Sequence, residues 1–151
     1  MVSRKLRTPV VVDTNVFVRA FRARSRDNPN QRVIRLWLQT RQFQLVVCQE
    51  LVEEYLRIFS DVVQMNDEIV LEWQARFEHD RRSTLKSLGR RYTESRDPDD
   101  NVLMATAFAG NAQFLFTNDR DLLELPDLFQ QSLPFQIMTP TAYFKMTSDQ
   151  A

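Results

Sequence analysis

Pro9-Val10-Val11-Val12-Asp13-Thr14-Asn15 decides how the chain is read. A short run of β-branched residues with no polar alternation predicts a strand covered on both faces, as strands of a parallel sheet between helices are. It stops abruptly at an aspartate, and from Thr14 to Ala23 the period changes, with Val16, Phe17, Ala20 and Phe21 at helical spacing. Asp27-Asn28-Pro29-Asn30 makes a turn, and a second helix follows with Val33, Ile34, Trp37 and Leu38 on one side.

The alternation continues down the chain. Phe43 to Cys48 is the second strand, and Gln49 to Phe59 the helix after it, with Leu51, Val52, Tyr55, Leu56 and Phe59 apolar and Glu50, Glu53 and Glu54 outside that stripe. Asp67 to His79 is a further amphipathic helix carrying Ile69, Val70, Trp73 and Phe77. Residues 81–96 are basic and aperiodic and read as a loop, a short strand or both. Asp97-Pro98-Asp99-Asp100 opens a helix, since proline just inside and carboxylates in the first turn suit its positive end. Val102 to Ala109 is small or apolar on every side, as a centrally packed helix requires. Phe114-Leu115-Phe116 is a third strand ending at Thr117-Asn118-Asp119, with a short helix to Leu123; Pro134 to Met138 is a fourth strand, and Thr139-Pro140 starts a last helix through Phe144. The expectation is a single domain over residues 1–151, a three-layer α/β/α sandwich on a mostly parallel sheet.

Composition narrows the chemistry. The chain has 151 residues, of which 43% are hydrophobic and 26% charged, values that suit one folded domain. Its two glycines, Gly89 and Gly110, are too few for a phosphate-cradling loop or a dinucleotide fingerprint. One histidine, His79, and one cysteine, Cys48, exclude disulfides, clustered-Cys or His-pair zinc sites and iron-sulfur clusters. His79 is expected on a helix surface and Cys48 buried at a strand end. Basic and acidic residues balance at 20 each, so net charge points to no partner. Seventeen of the basic residues are arginine, the side chain whose fork matches phosphate, and many fall in two clusters, residues 19–26 and 81–96. No stretch approaches a membrane span, and the Met-Val-Ser-Arg-Lys-Leu-Arg-Thr-Pro start lacks the apolar run of a signal peptide, so a cytoplasmic protein is expected.

The acids fall at strand-to-helix junctions. Asp13 ends the first strand, Glu53 and Glu54 lie after the second, Asp97, Asp99 and Asp100 open the central helix, and Asp119 ends the third strand. In an open parallel sheet these places share the crevice outside the carboxyl ends of the strands. Two carboxylates ~4 Å apart repel by about 4 kcal/mol at an effective dielectric of about 20, so convergence calls for protons or a cation. A hard all-oxygen set selects Mg²⁺ or Mn²⁺, whose natural chemistry with carboxylates is phosphodiester hydrolysis. Singly, each acid also has an ordinary role: Asp13 in an Asx turn, Asp99, Asp100, Asp119 and Asp121 as caps, Glu53 or Glu54 facing water. Joint placement favours the site. The aromatic residues, eleven of them Phe, read as core, and the arginine clusters as either a solvated face or a track for phosphates.

Val10-Val-Val-Asp13-Thr14-Asn15-Val16, a Glu after the second strand, Arg96-Asp97-Pro98-Asp99-Asp100-Asn101 before an Ala-rich helix, and Phe114-Leu-Phe-Thr117-Asn118-Asp119-Arg120-Asp121-Leu122-Leu123 together resemble the PIN domain over residues 9–144. Within it the chain resembles the toxin component of bacterial toxin-antitoxin pairs, of the VapC type. The resemblance implies a metal-dependent endoribonuclease using Mg²⁺ or Mn²⁺, with Asp13, Glu54, Asp100 and Asp119 as catalytic and metal-binding acids. It implies Thr14, Asn15, Asp97, Thr117 and Asn118 in support. Glu54 is taken over Glu53 because the family's acid precedes a hydrophobic residue, here Tyr55; helical periodicity does not decide between them. Cys48-Gln49 stands where this branch usually has Ser-Pro. Candidates for contact with RNA phosphates are Arg19, Arg22, Arg81, Arg82, Arg90 and Arg91. A homodimer and a partner antitoxin covering the site are also implied. The competing readings are a catalytically idle PIN-like module that binds RNA or protein, and a small-molecule phosphohydrolase.

Overall fold

The valine run becomes β1 (Thr8–Val12), central in a five-stranded sheet, and Val10, Val11 and Val12 are all buried. The computed structural model describes residues 6–149. Residues 1–5, part of the stretch that lacks a signal peptide's apolar run, lie outside the described residues. In chain order there follow α1 (Thr14–Arg22), α2 (Pro29–Leu38), β2 (Phe43–Val47), α3 (Gln49–Asp61), α4 (Asp67–Glu78) and β3 (Ser83–Leu85). Then come α5 (Pro98–Ala109), β4 (Phe114–Phe116), α6 (Arg120–Leu123), α7 (Asp127–Ser132), β5 (Gln136–Met138) and α8 (Pro140–Asp149).

Caps set several of these boundaries. Asn28 accepts from the backbone N–H of Asn30 and Gln31 ahead of Pro29, Asn66 from Ile69, Asp97 from Asp99 and Asp119 from Asp121, each relieving orphan donors of a first turn. The ambiguous basic segment resolves as loop plus β3, whose strand lies beside β2. α7 was not expected from the sequence: no side chain caps it, none of its residues is fully buried, and Leu128 is exposed, so it carries little amphipathic signal.

All four strand pairings are parallel, and the order is β3-β2-β1-β4-β5. The chain therefore builds outward from β1 to β3, then returns and builds outward on the other side from β4. Its reversal point is the gap between the carboxyl ends of β1 and β4, the place where open α/β sheets form their crevice.

Helices cover both faces. Gly110, just past α5, lies so close to Val46 that a Cβ built there would stand 2.2 Å from Val46 Cγ1. Phe43 packs against Tyr143 of α8 with ring centroids 5.5 Å apart. Residues 43 and 46 point to opposite faces of a strand, so α5 and α8 form opposite outer layers. The three-layer α/β/α sandwich is the observed architecture. On the α8 side, Phe17 of α1 packs against Trp37, Tyr55, Phe59, Trp73 and Phe77 at centroid distances of 4.9 to 6.1 Å, mostly edge to face. This aromatic block fixes α1 to α4 in relation to one another. The Tyr55 hydroxyl donates to the Val12 carbonyl at the end of β1, which pins α3 beside the residue that precedes Asp13. His79 is exposed at the end of α4, and Cys48 is buried after β2.

Candidate metal centre

Asp13 leaves β1 at the reversal point, and its backbone N–H donates to the Phe116 carbonyl at 2.9 Å, which ties the end of β1 to the end of β4. Its Oδ2 accepts from the Thr117 hydroxyl at 2.7 Å and from Asn15 Nδ2 at 3.1 Å. The same Thr117 hydroxyl oxygen accepts from the Asp119 backbone N–H at 2.9 Å, so one side chain sets the spacing of two aspartates. Asp100 arrives from the first turn of α5, buried, with the Ser95 hydroxyl donating to its Oδ2 at 3.0 Å. Each of Asp13, Asp100 and Asp119 thus offers a carboxylate oxygen, and the three oxygens lie within 4.8 Å of one another.

Glu54 stands half-buried on α3 and accepts the Thr14 hydroxyl at Oε2, 2.6 Å away. Glu53, its neighbour, is exposed. The two faces of α3 that periodicity left equivalent differ because Tyr55 is locked under β1, which turns Glu54 toward Thr14.

The electrostatics follow from the geometry. Burial pushes the Asp13 carboxyl up to about 6, opposed by the Thr117 hydrogen bond and assisted by the Asp119 charge. Burial likewise takes Asp100 to about 7, with the Asp119, Asp13 and Asp97 charges adding to it against the Ser95 hydrogen bond. Glu54 is raised by burial first and then by Asp99 and Asp13, with the Thr14 hydrogen bond opposing. Carboxylates held together out of water resist ionising together, and a divalent cation is the counter-charge that removes this penalty. The donor set is all oxygen, which fits Mg²⁺ or Mn²⁺, and Asp13, Asp100 and Asp119 are the residues that would hold it.

The supporting residues act through hydrogen bonds. Asn15 Oδ1 accepts from both the backbone N–H (3.1 Å) and the side-chain amide (3.3 Å) of Asn118. Asp97 caps α5 and accepts from the Asp99 N–H at 2.9 Å. Two further contributors carry no signal of their own in the sequence. Ser95 sits in the aperiodic basic stretch and looked like loop. Asn101, whose Oδ1 accepts from the Ser95 N–H at 3.0 Å, stands in the sequence only as the end of the Arg96–Asn101 motif. Asp99, one of the acids that open α5, makes its charge felt at Glu54.

The six arginines are scattered. Arg19 and Arg22 are exposed on the last turns of α1. Arg91 Nη2 donates to Glu50 Oε1 at 2.8 Å, joining the loop before α5 to the first turn of α3, and Arg90 lies over the Tyr92 and Phe108 rings. Arg81 and Arg82 precede β3, at the end of the sheet where the strands begin, and line an open cleft with Arg7 and Arg41. Arg82 is paired there with Asp80 at 3.1 Å. The acids follow the other ends of the strands, so Arg81 and Arg82 are not brought to them. Among the described residues no helix is long and apolar enough to cross a membrane.

A family model described as PIN domain matches residues 9–121, the greater part of the chain. Among curated proteins no match was found.

Proposed function

Because the chain belongs to the PIN domain family, whose members are generally metal-dependent nucleases, we propose that it is an endoribonuclease that hydrolyses RNA phosphodiester bonds with Mg²⁺ or Mn²⁺. The observation that carries this reading is the approach of the Asp13, Asp100 and Asp119 oxygens to within 4.8 Å of one another at the reversal point of the sheet. A bound divalent ion would supply Lewis-acid stabilisation of the phosphate oxygens and a more acidic water.

The chain's own residues do the rest. Thr117 and Asn15 hold the Asp13 carboxylate by one oxygen, and Ser95 holds Asp100, so the acids are set before substrate arrives. Glu54, oriented by Thr14, accepts a proton from the attacking water; its raised pKa brings it nearer to working pH, which suits a general base. Of the six candidate arginines, Arg90 and Arg91, in the loop before α5, are nearest in sequence to the acids of that helix and are suited to flanking phosphates.

The test is cleavage of labelled RNA by the purified protein with Mn²⁺, with Mg²⁺ and with a chelator. Cleavage is expected only with metal, and Asp13→Asn is expected to lower the rate by at least ~100-fold while RNA binding persists, since one ligand to the ion is lost. An idle binding module would bind RNA equally in both proteins and cleave it in neither, and a small-molecule phosphohydrolase would prefer a phosphate monoester to RNA.

The motif resemblance supports a finer reading, a toxin that forms a homodimer and is silenced by an antitoxin covering the acids. Induced expression in a bacterial host is then expected to arrest growth with the wild-type chain and to leave growth unchanged with Asp13→Asn. Equal growth of both strains at equal expression would remove the toxin reading.

A further inference from the structure

Asn30 lies in the first turn of α2, 8% exposed, in a segment that reads as nothing more than a turn and a helix start. Its amide is oriented by a neighbour: Nδ2 donates to Asn28 Oδ1 at 3.2 Å, while the Asn30 backbone N–H donates to the same oxygen at 2.9 Å. The remaining polar atom, Oδ1, therefore faces away from the cap, and there it accepts from Asn118 Nδ2 at 2.9 Å. Asn118 in turn donates from its backbone and from the same amide nitrogen to Asn15 Oδ1. With Oδ1 occupied, Asn15 presents Nδ2 to Asp13 Oδ2 at 3.1 Å.

An isolated carboxamide has two nearly equivalent orientations. In this chain of three, each orientation is dictated by the one before it, and the first is dictated by the cap of α2. Were Asn118 released at its far end, its amide would be free to turn from Asn15, and Asn15 would keep only the Asn118 backbone N–H of the two donors that hold its own donor, rather than its acceptor, toward Asp13. An acceptor there would face the Asp13 carboxylate with a repelling oxygen.

We propose that Asn30 is a positioning residue for the acid cluster: through Asn118 and Asn15 it holds the Asp13 carboxylate in the orientation that receives the divalent ion. The proposal rests on the metal-dependent reading above, and it adds a residue of α2 that touches none of the acids. Partners beyond the immediate ligands of a metal typically change its affinity by about 10-fold to 100-fold, and a residue one step further out is expected at the lower end.

The experiment compares Asn30→Leu, Asn30→Asp and Asn28→Ala with the wild-type chain. Leucine matches asparagine in size and removes the hydrogen bond, aspartate keeps an acceptor toward Asn118, and Asn28→Ala removes the helix cap together with the oxygen that orients the Asn30 amide. Two quantities are read: Mn²⁺ affinity by calorimetry, and the side-chain amide NMR signals of Asn15 and Asn118 in metal-free protein. The expected result is a loss of about 5-fold to 10-fold in Mn²⁺ affinity for Asn30→Leu with displaced Asn15 and Asn118 signals. Asn30→Asp should keep the affinity within about 3-fold, and Asn28→Ala, which frees the Asn30 amide as well as the helix start, should lower both the melting temperature and the affinity. Unmoved Asn15 signals in Asn30→Leu, or an unchanged affinity despite moved signals, would overturn the proposal. If Asn30→Leu does not fold, the same readings on Asn30→Ala decide. A wild-type chain that binds no Mn²⁺ would sink the metal-dependent reading, whereas a wild-type chain that binds it equally with Asn30→Leu would sink only the role of Asn30.

Discussion

Asp100 lies where burial and neighbouring acids oppose its charge, and a measurable consequence follows. In the unfolded chain it ionises near the ordinary 3.8, in the metal-free fold near 7. Between those values unfolding releases a proton, so its contribution to stability is intact below about pH 4 and is lost as pH rises to about 7. Asp13 acts in the same direction over a narrower range, to about 6. Metal-free protein is therefore expected to unfold more easily at pH 8 than at pH 5 in chelator-containing urea titrations. Asp100→Asn should abolish cleavage and yet raise metal-free stability at pH 8 by on the order of 2 kcal/mol, with little change at pH 4. Equal stability of the two proteins across that range would show that the carboxyl is not held protonated. These acids were legible because each directly follows a strand or opens a helix, positions that topology brings together. Ser95, Asn101 and Asn30 were not, because a side chain that orients another leaves no periodic mark: its role exists only once residues distant in sequence have met.

At the scale of elements, α5 lies against β2 through a contact only glycine permits. Gly110 has ordinary backbone angles, with φ −96°, so the requirement is one of space. An added Cβ would meet Val46 Cγ1 at 2.2 Å and Cγ2 at 2.9 Å, and the helix, the strand or both would have to move. Gly110→Ala is expected to destabilise the fold by about 1–3 kcal/mol, as overpacking does, and adding Val46→Ala should return part of that loss. Denaturant titration of the two single variants and the double one measures the coupling; strict additivity would mean that the two residues do not meet in solution. The sequence showed α5 and β2 as apolar segments but not their separation, since periodicity tells which face is buried and not how closely. It did not show the strand order. Short apolar runs predict parallel strands, whereas the position of β3 beside β2 depends on three residues, one of them exposed, that carry almost no alternation. α7 was missed for the same reason: a six-residue helix with an uncapped start and an exposed Leu128 has neither a boundary signal nor an apolar stripe.

For the molecule as a whole, cation binding would be coupled to folding. An ion held by carboxylates after β1, in α5 and in the β4–α6 turn would bind the folded chain alone, and at about 100 times its dissociation constant it would add about 3 kcal/mol of stability. For a chain of this size that is a rise of roughly 6–12 °C in melting temperature. Because the acids must shed protons to bind it, the rise should be larger at pH 8 than at pH 6, and it should disappear in Asp100→Asn. Scanning calorimetry with and without Mn²⁺ at the two pH values checks this, and a rise that is independent of pH would contradict the raised carboxyl pKa values. The sheet order also has a consequence for biosynthesis. The hydrogen bond from Thr117 to Asp13 spans 104 positions, and β4 is its only route to β1. On a ribosome the first aspartate emerges long before the last, and no partial length of chain ending ahead of Phe114 holds more than part of the cluster. Translation thus leaves the acid cluster unassembled until the growing chain has passed Asp119.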